Sequence, residues 1–194
     1  MTRRGAGLLF VVVAGVLVAV VVGWFAVATF RGPEQMIAGR PTTVANDPFR
    51  VDQPKELKAI PDPCQLLNPQ QRDQLAALPA GTYEPTPWGQ QACLWRNKQL
   101  TVSVAPNTVQ GYGLKYTAKV VADGEPTAQV AGYPAVREGV SSGACGIVVG
   151  TSDTEIVLVS FQLGPDGRGN PDFSDPCAMS DRIAEMVLSN LPSR

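Results

Sequence analysis

The tripeptide Asp-Pro-Cys stands twice in this chain, at Asp62-Pro63-Cys64 and Asp175-Pro176-Cys177, and the only other cysteines are Cys93 and Cys145. All four lie downstream of one long apolar run, the arrangement of a disulfide-stapled domain held outside the cytoplasm, where oxidised cysteine persists. Each copy also carries the chemistry of a helix start. An aspartate at the N-cap accepts from free N–H groups and a proline suits the first helical position, while Gln65 offers Asp62 a capping-box partner.

The apolar run, Leu8 to Phe30, has no charged side chain across 23 positions. As a helix it would extend about 34 Å, enough to cross a hydrocarbon core. Arg3 and Arg4 precede it and Trp24, Phe25 and Phe30 close it, which suits a cytoplasmic tail over 1–7, a transmembrane signal anchor over 8–30 and an aromatic belt on the far side. Ala26-Val27-Ala28 has the small-x-small form of a cleavage site, yet the run exceeds a signal h-region and Trp24 and Phe25 crowd the approach, so an uncleaved anchor is expected. No cysteine stands in or just after the run to accept a lipid.

From Arg31 onward 14 Lys and Arg face 17 Asp and Glu, a net charge of −3, which gives nucleic acid no clustered basic face to bind. Histidine is absent, which removes Ser-His-Asp and Cys-His catalysis and His-ligated zinc together. No cofactor motif is found. Gly111-Tyr112-Gly113 is too short for a dinucleotide fingerprint, and Asp166 to Asp172 places Arg168 where a calcium loop needs a ligand, so no metal is expected.

Residues 31–60, with Pro33, Pro41, Pro48 and Pro54, read as a flexible stalk spanning about 30 Å, and 61–194 as one extracytoplasmic domain. A first helix is expected from Asp62 through Leu78, with a break or restart at Asn68-Pro69, followed by a polar loop to Gln91. Cys93, Trp95, Leu100, Val102 and Val104 alternate with polar residues and predict a hairpin turning near Asn97-Lys98. A short helix within Asn107 to Lys119 would carry Val109, Tyr112 and Tyr116 on one side, weakened by Gly111 and Gly113. Strands at Thr127 to Val130 and Ala135 to Glu138 precede a hairpin of Cys145 to Val149 with Glu155 to Leu163. Ile156 to Val159 are apolar on both faces, as a central strand requires. Met179, Ile183, Met186, Val187 and Leu191 form the buried stripe of a last helix. The class is α+β: an antiparallel sheet packed by N- and C-terminal helices.

Four cysteines allow three connectivities. The last hairpin returns Leu163 to the end of the sheet where Cys145 begins, and the loop from Gly164 delivers Cys177 there; the loop before Cys93 is long enough to return beside Cys64. Cys145 with Cys177 and Cys64 with Cys93 is therefore the expected set. No Cys-x-x-Cys pair is present for redox or zinc chemistry.

Trp95 falls on an inward strand position and is expected in the core. Trp88, between Pro87 and Gly89, is the candidate contact aromatic, with Tyr83 and Tyr112 beside it as candidates. Asp123, Glu125, Asp153 and Glu155 fall at turns and strand ends, where solvated carboxylates are expected.

Asp62-Pro63-Cys64-Gln65-Leu66-Leu67, Cys93-Leu94-Trp95, Gly132-Tyr133-Pro134-Ala135-Val136, Cys145-Gly146-Ile147-Val148 and Asp175-Pro176-Cys177 together resemble the actinobacterial envelope proteins of the domain-of-unknown-function family 3558. The resemblance implies a secreted or surface-held domain, commonly a lipoprotein, with two disulfides and no assigned activity. This chain departs by carrying a membrane segment in place of a lipidated cysteine. A looser similarity to the disulfide-bonded extracellular sensor domains of mycobacterial receptor kinases implies a compact α+β fold and a binding role. The expected function is a non-enzymatic binding or sensing module of the cell envelope, anchored by a single membrane span and taking a protein, glycan or small ligand as partner. The alternatives are a carboxylate-dependent envelope hydrolase or transferase, and a structural subunit of a membrane complex.

Overall fold

A computed structural model describes residues 47–194; the expected tail, membrane helix and first part of the stalk lie outside the described residues. Among the described residues no helix is long and apolar enough to cross a membrane. Seven strands form one antiparallel sheet: β1 (Thr82–Pro85), β2 (Gln91–Arg96), β3 (Leu100–Asn107), β4 (Ala128–Val130), β5 (Tyr133–Glu138), β6 (Ala144–Gly150) and β7 (Ile156–Leu163). Their order is β1-β2-β3-β7-β6-β5-β4, so two meanders join along β3 and β7. The strand apolar on both faces is central, as its composition requires. The sheet and its flanking helices make the domain α+β.

Among the described residues three α-helices accompany the sheet: α1 (Pro69–Gln74), α2 (Gly113–Val121) and α3 (Pro176–Asn190). Asp175 caps α3 by accepting from the N–H groups of Cys177 and Ala178, with Pro176 in the first turn. Met179, Ile183, Ala184, Val187 and Leu188 of α3 are buried on one face of the sheet with Val102, Val104, Val157, Val159 and Phe161. Trp95 belongs to this same core. The Ser180 hydroxyl donates to the Cys145 carbonyl at 2.6 Å, and Arg137 of β5 pairs with Asp181 at 2.7 Å. These polar ties fix α3 against β6 and β5.

The expected first helix is broken. Asp62 caps only a single 3-10 turn, Pro63–Gln65, accepting from the Cys64 N–H. Pro69 forces Asn68 out of the helical region, and its ψ of 164° ends the turn. Asn68 then caps α1, and the capping-box partner is Gln71, not Gln65. The expected polar loop before Gln91 contains β1, whose four residues are all exposed. Such an edge strand pairs through its backbone and leaves no alternating apolar signal.

The domain begins earlier than Pro61. Leu57 is buried in the main core, the Lys55 N–H donates to the Thr151 carbonyl at 2.8 Å, and the Glu56 N–H to that of Pro192 at 2.9 Å. Residues 47–60 thus belong with the domain and shorten the expected stalk. Glu155 is a second correction, since its side chain is only 2% exposed. Lys58 Nζ lies 3.4 Å from Glu155 Oε1 and Arg194 Nη2 lies 2.8 Å from Oε2, so this carboxylate joins the first and last described segments. A strand-end position does not disclose that two distant segments cover it.

The structure pairs Cys64 with Cys93 and Cys145 with Cys177, across sequence separations of 29 and 32, and leaves no cysteine free among the described residues. The first bridge ties the Asp62-capped turn to β2, and the second ties the start of α3 to β6. In the chain-entropy account each such loop stabilises by about 3 to 4 kcal/mol.

Two stability outcomes follow from this arrangement. Replacing Cys145 and Cys177 together by alanine lowers the unfolding free energy in urea by roughly 3 kcal/mol. Removing both cations, Lys58→Met with Arg194→Met, strands a buried carboxylate and costs about 3 kcal/mol; adding Glu155→Gln restores most of that loss. A triple variant no more stable than the double one contradicts the charge argument.

Candidate functional site

Helix α2 covers the sheet face opposite α3, through Leu114 and Ala118 against Val136 and Val148, with Phe49, Ile156 and Leu158 at the margin. Gly113 begins the helix at φ +61°, and a Cβ there would overlap the Asp153 carbonyl, so glycine permits the close seating of α2 on the β6–β7 turn. The helix therefore starts later than the expected span, after Asn107 has completed β3.

The apolar spacing that runs from the loop before α2 into the helix points outward. Val109, Tyr112, Tyr116 and Val120 are 61%, 58%, 54% and 66% exposed. Tyr112 and Tyr116 stack with ring centroids 4.8 Å apart. The recurrence of Val109, Tyr112 and Tyr116 suggests a core-facing line. The core instead takes Leu114 and Ala118, a second apolar line on the same helix. Periodicity identifies both lines and cannot rank them.

Beside that flank lies a groove of about 190 Å³ between α2 and the sheet, walled by Tyr116, Val120 and Val121 on one side and Trp88 on the other, with Ile156 and Leu158 at its base. Trp88 is held there and half-buried, its indole N–H donating to the Pro106 carbonyl at 2.8 Å. The neighbouring loop is fixed as well: the Gln90 side chain accepts from the Thr108 N–H at 2.8 Å and donates to the Thr108 hydroxyl at 3.0 Å. Asn107, buried at the end of β3, donates to the Gln110 side chain.

Glu138, at the end of β5, is the one charged residue among the described residues that line the groove. It is half-buried and makes no ion pair among the described residues. Burial holds its carboxyl above the ordinary value. Its stem lies over Gly146, where a Cβ would come within 3.0 Å of Glu138 Cγ and 3.6 Å of the Ser160 hydroxyl. The adjacent Arg137 is engaged with Asp181 of α3, on the opposite face. A carboxylate in an apolar wall without a counter-ion is a ready partner for a donor or cation that brings its own apolar surface.

The candidates divide between two places. Trp88 walls the groove; Tyr112 does not line it but lies against Tyr116, which does, with ring centroids 4.8 Å apart, and Tyr83 lies apart, lining a wide concavity with Asp62, Pro63 and Gln91. The Tyr83 hydroxyl donates to Asp62 at 3.2 Å; that hydrogen bond and the carboxylate's charge hold the phenol above its ordinary value. Sequence reasoning missed Glu138 and Val120. Nothing in the strand pattern ending at Glu138 distinguishes a groove carboxylate from a solvated strand end. Among the described residues no three His, Cys, Asp or Glu side chains gather as a metal ion requires.

The raised carboxyl gives a stability outcome with a definite sign. A carboxyl whose folded value lies above its unfolded one binds more protons when folded, so stability falls as pH rises through that window. Glu138→Gln therefore raises the melting temperature at about pH 7, and the gain disappears below about pH 4, where both states are protonated. Thermal scans across that range would contradict the burial account if the variant gained nothing at neutral pH.

Residues 31–190 match the family described as "Protein of unknown function (DUF3558)". No curated protein and no solved structure matches the chain.

Proposed function

The chain belongs to the DUF3558 family, and from that premise we propose that its domain is a binding or sensing module of the cell envelope, held outside the cytoplasmic membrane by the 8–30 segment and working without catalysis. The observation that carries this reading is the outward side of α2 and of the loop that leads into it, where Val109, Tyr112, Tyr116 and Val120 stand exposed and the last two line a groove. Exposed apolar surface of that kind, contiguous and rimmed by polar residues, marks interaction sites on soluble domains. The charge-free segment and the fully bridged cysteines support the compartment. Actinobacterial origin belongs to the same proposal and rests on the resemblance of motifs.

A hydrolase reading would need two carboxylates about 5 to 10 Å apart across a cleft. The groove lining supplies Glu138 alone, and Glu155 is engaged with Lys58 and Arg194. No observation favours that reading over binding.

A photo-crosslinking residue placed at Tyr116 or Val120 of the full chain in intact cells is expected to give a discrete adduct. The same residue at Arg182, on the exposed side of α3, is expected to give none. Adducts that are absent from both groove positions, or identical at all three, would contradict a binding role for the groove.

A further inference from the structure

The groove is small for a ligand that must be enclosed. Pockets that surround small molecules run roughly 300 to 1,000 Å³. At about 190 Å³ this one accepts a side chain or two of something larger. Exposed apolar surface continues beyond it, since Tyr112 at the N-cap of α2 and Tyr116 and Val120 within the helix recur every four residues and are exposed. An anchoring pocket continuous with an aromatic and aliphatic strip is the form of a protein-recognition surface, in which one or two buried side chains carry most of the energy.

Charge selects what enters. Glu138 is acidic, half-buried and without an ion pair among the described residues, and the groove around it is lined by apolar Trp88, Tyr116, Val120 and Leu158 together with polar Asn107, Gln110 and Thr117. The lysines of α2, Lys115 and Lys119, stand by helical spacing on the flank turned away from the groove. An acidic partner would meet an uncompensated carboxylate, and a wholly apolar one would leave that carboxylate desolvated without a donor. A Lys or Arg side chain satisfies it, with an aliphatic stem that packs on Val120 and Leu158 and a cation that faces the Trp88 and Tyr116 rings.

Resting on the binding role proposed above, we infer that the groove receives a basic-apolar segment of a partner protein, a Lys or Arg with aliphatic or aromatic neighbours, and that Glu138 is the residue that sets this preference. The cation enters beside Glu138 and the neighbouring apolar side chains lie along Tyr112, Tyr116 and Val120. Gly146 leaves the space that lets the Glu138 stem lie across the sheet in position to be reached.

The test pans a random short-peptide library on the full chain in lipid nanodiscs, in parallel with Glu138→Gln, Glu138→Lys and Val120→Asp, each checked for intact disulfides and native near-ultraviolet circular dichroism. Peptides enriched in Lys or Arg next to apolar residues are expected on the native chain. They should lose about five- to tenfold in affinity on Glu138→Gln, give way to acidic peptides on Glu138→Lys, and fail to bind Val120→Asp. Basic peptides indifferent to Glu138, purely apolar or acidic selections, or no enrichment at all would overturn the inference. Sedimentation that found a concentration-dependent dimer abolished by Val120→Asp would assign the surface to a second copy and overturn it as well. The adducts at Tyr116 and Val120 judge the binding role separately: adducts without a charge preference leave that role standing and remove only the assignment to Glu138.

Discussion

Eight consecutive antiparallel pairs, from Leu100 with Leu163 to Asn107 with Ile156, join β3 to β7 and so join two meanders into one sheet. Every other layer is laid on that seam. On one face Val102, Val104, Val157, Val159 and Phe161 are buried with α3, whose fifteen residues extend about 22 Å. On the other face the same strands present Ser103, Ala105, Leu158 and Ser160, and α2, with nine residues, extends only about 13 Å. The unequal cover is what leaves a groove at the edge of α2.

The polar ties serve this layering by locking segments that the apolar core alone would leave adjustable. Cys145–Cys177 and the Ser180 hydroxyl hold the start of α3 to β6, while Cys64–Cys93 holds the Asp62 turn to β2. Near the other end of α3, Asn190 donates to the Leu66 carbonyl at 2.9 Å and to the Gln71 side chain at 2.7 Å, joining α3 to α1. The Glu155 cluster then secures Lys58 and Arg194 over the end of β7.

The α+β class was legible because the strongest patterns in the sequence are the ones that tertiary packing obeys. Ile156 to Val159 are apolar on both faces and β7 is central; the 179–191 stripe is buried under one helix. Weaker signals failed for identifiable reasons. β1 is exposed throughout, so its only signature is its backbone pairing, and the pull of residues 47–60 onto the domain depends on Leu57 and a carboxylate nearly a hundred residues away. The groove was half legible. Trp88 and Tyr112 stand out by residue type, but the exposure of Tyr116 and Val120 depends on which of two apolar lines α2 buries, and the setting of Glu138 depends on Gly146 in the next strand.

The outward flank of α2 is the point at which fold and proposed role meet, because the packing that stabilises the domain does not require those side chains to be apolar. Hydroxyl-radical footprinting of the full chain, in intact cells and after purification, compares the same residues with and without their natural surroundings. Tyr83, exposed on the far side of β2, supplies an internal reference. The account predicts that Tyr112, Tyr116 and Trp88 are oxidised readily in the purified protein and protected in cells, with Tyr83 labelled alike in both. Equal labelling of Tyr116 in the two settings would contradict it.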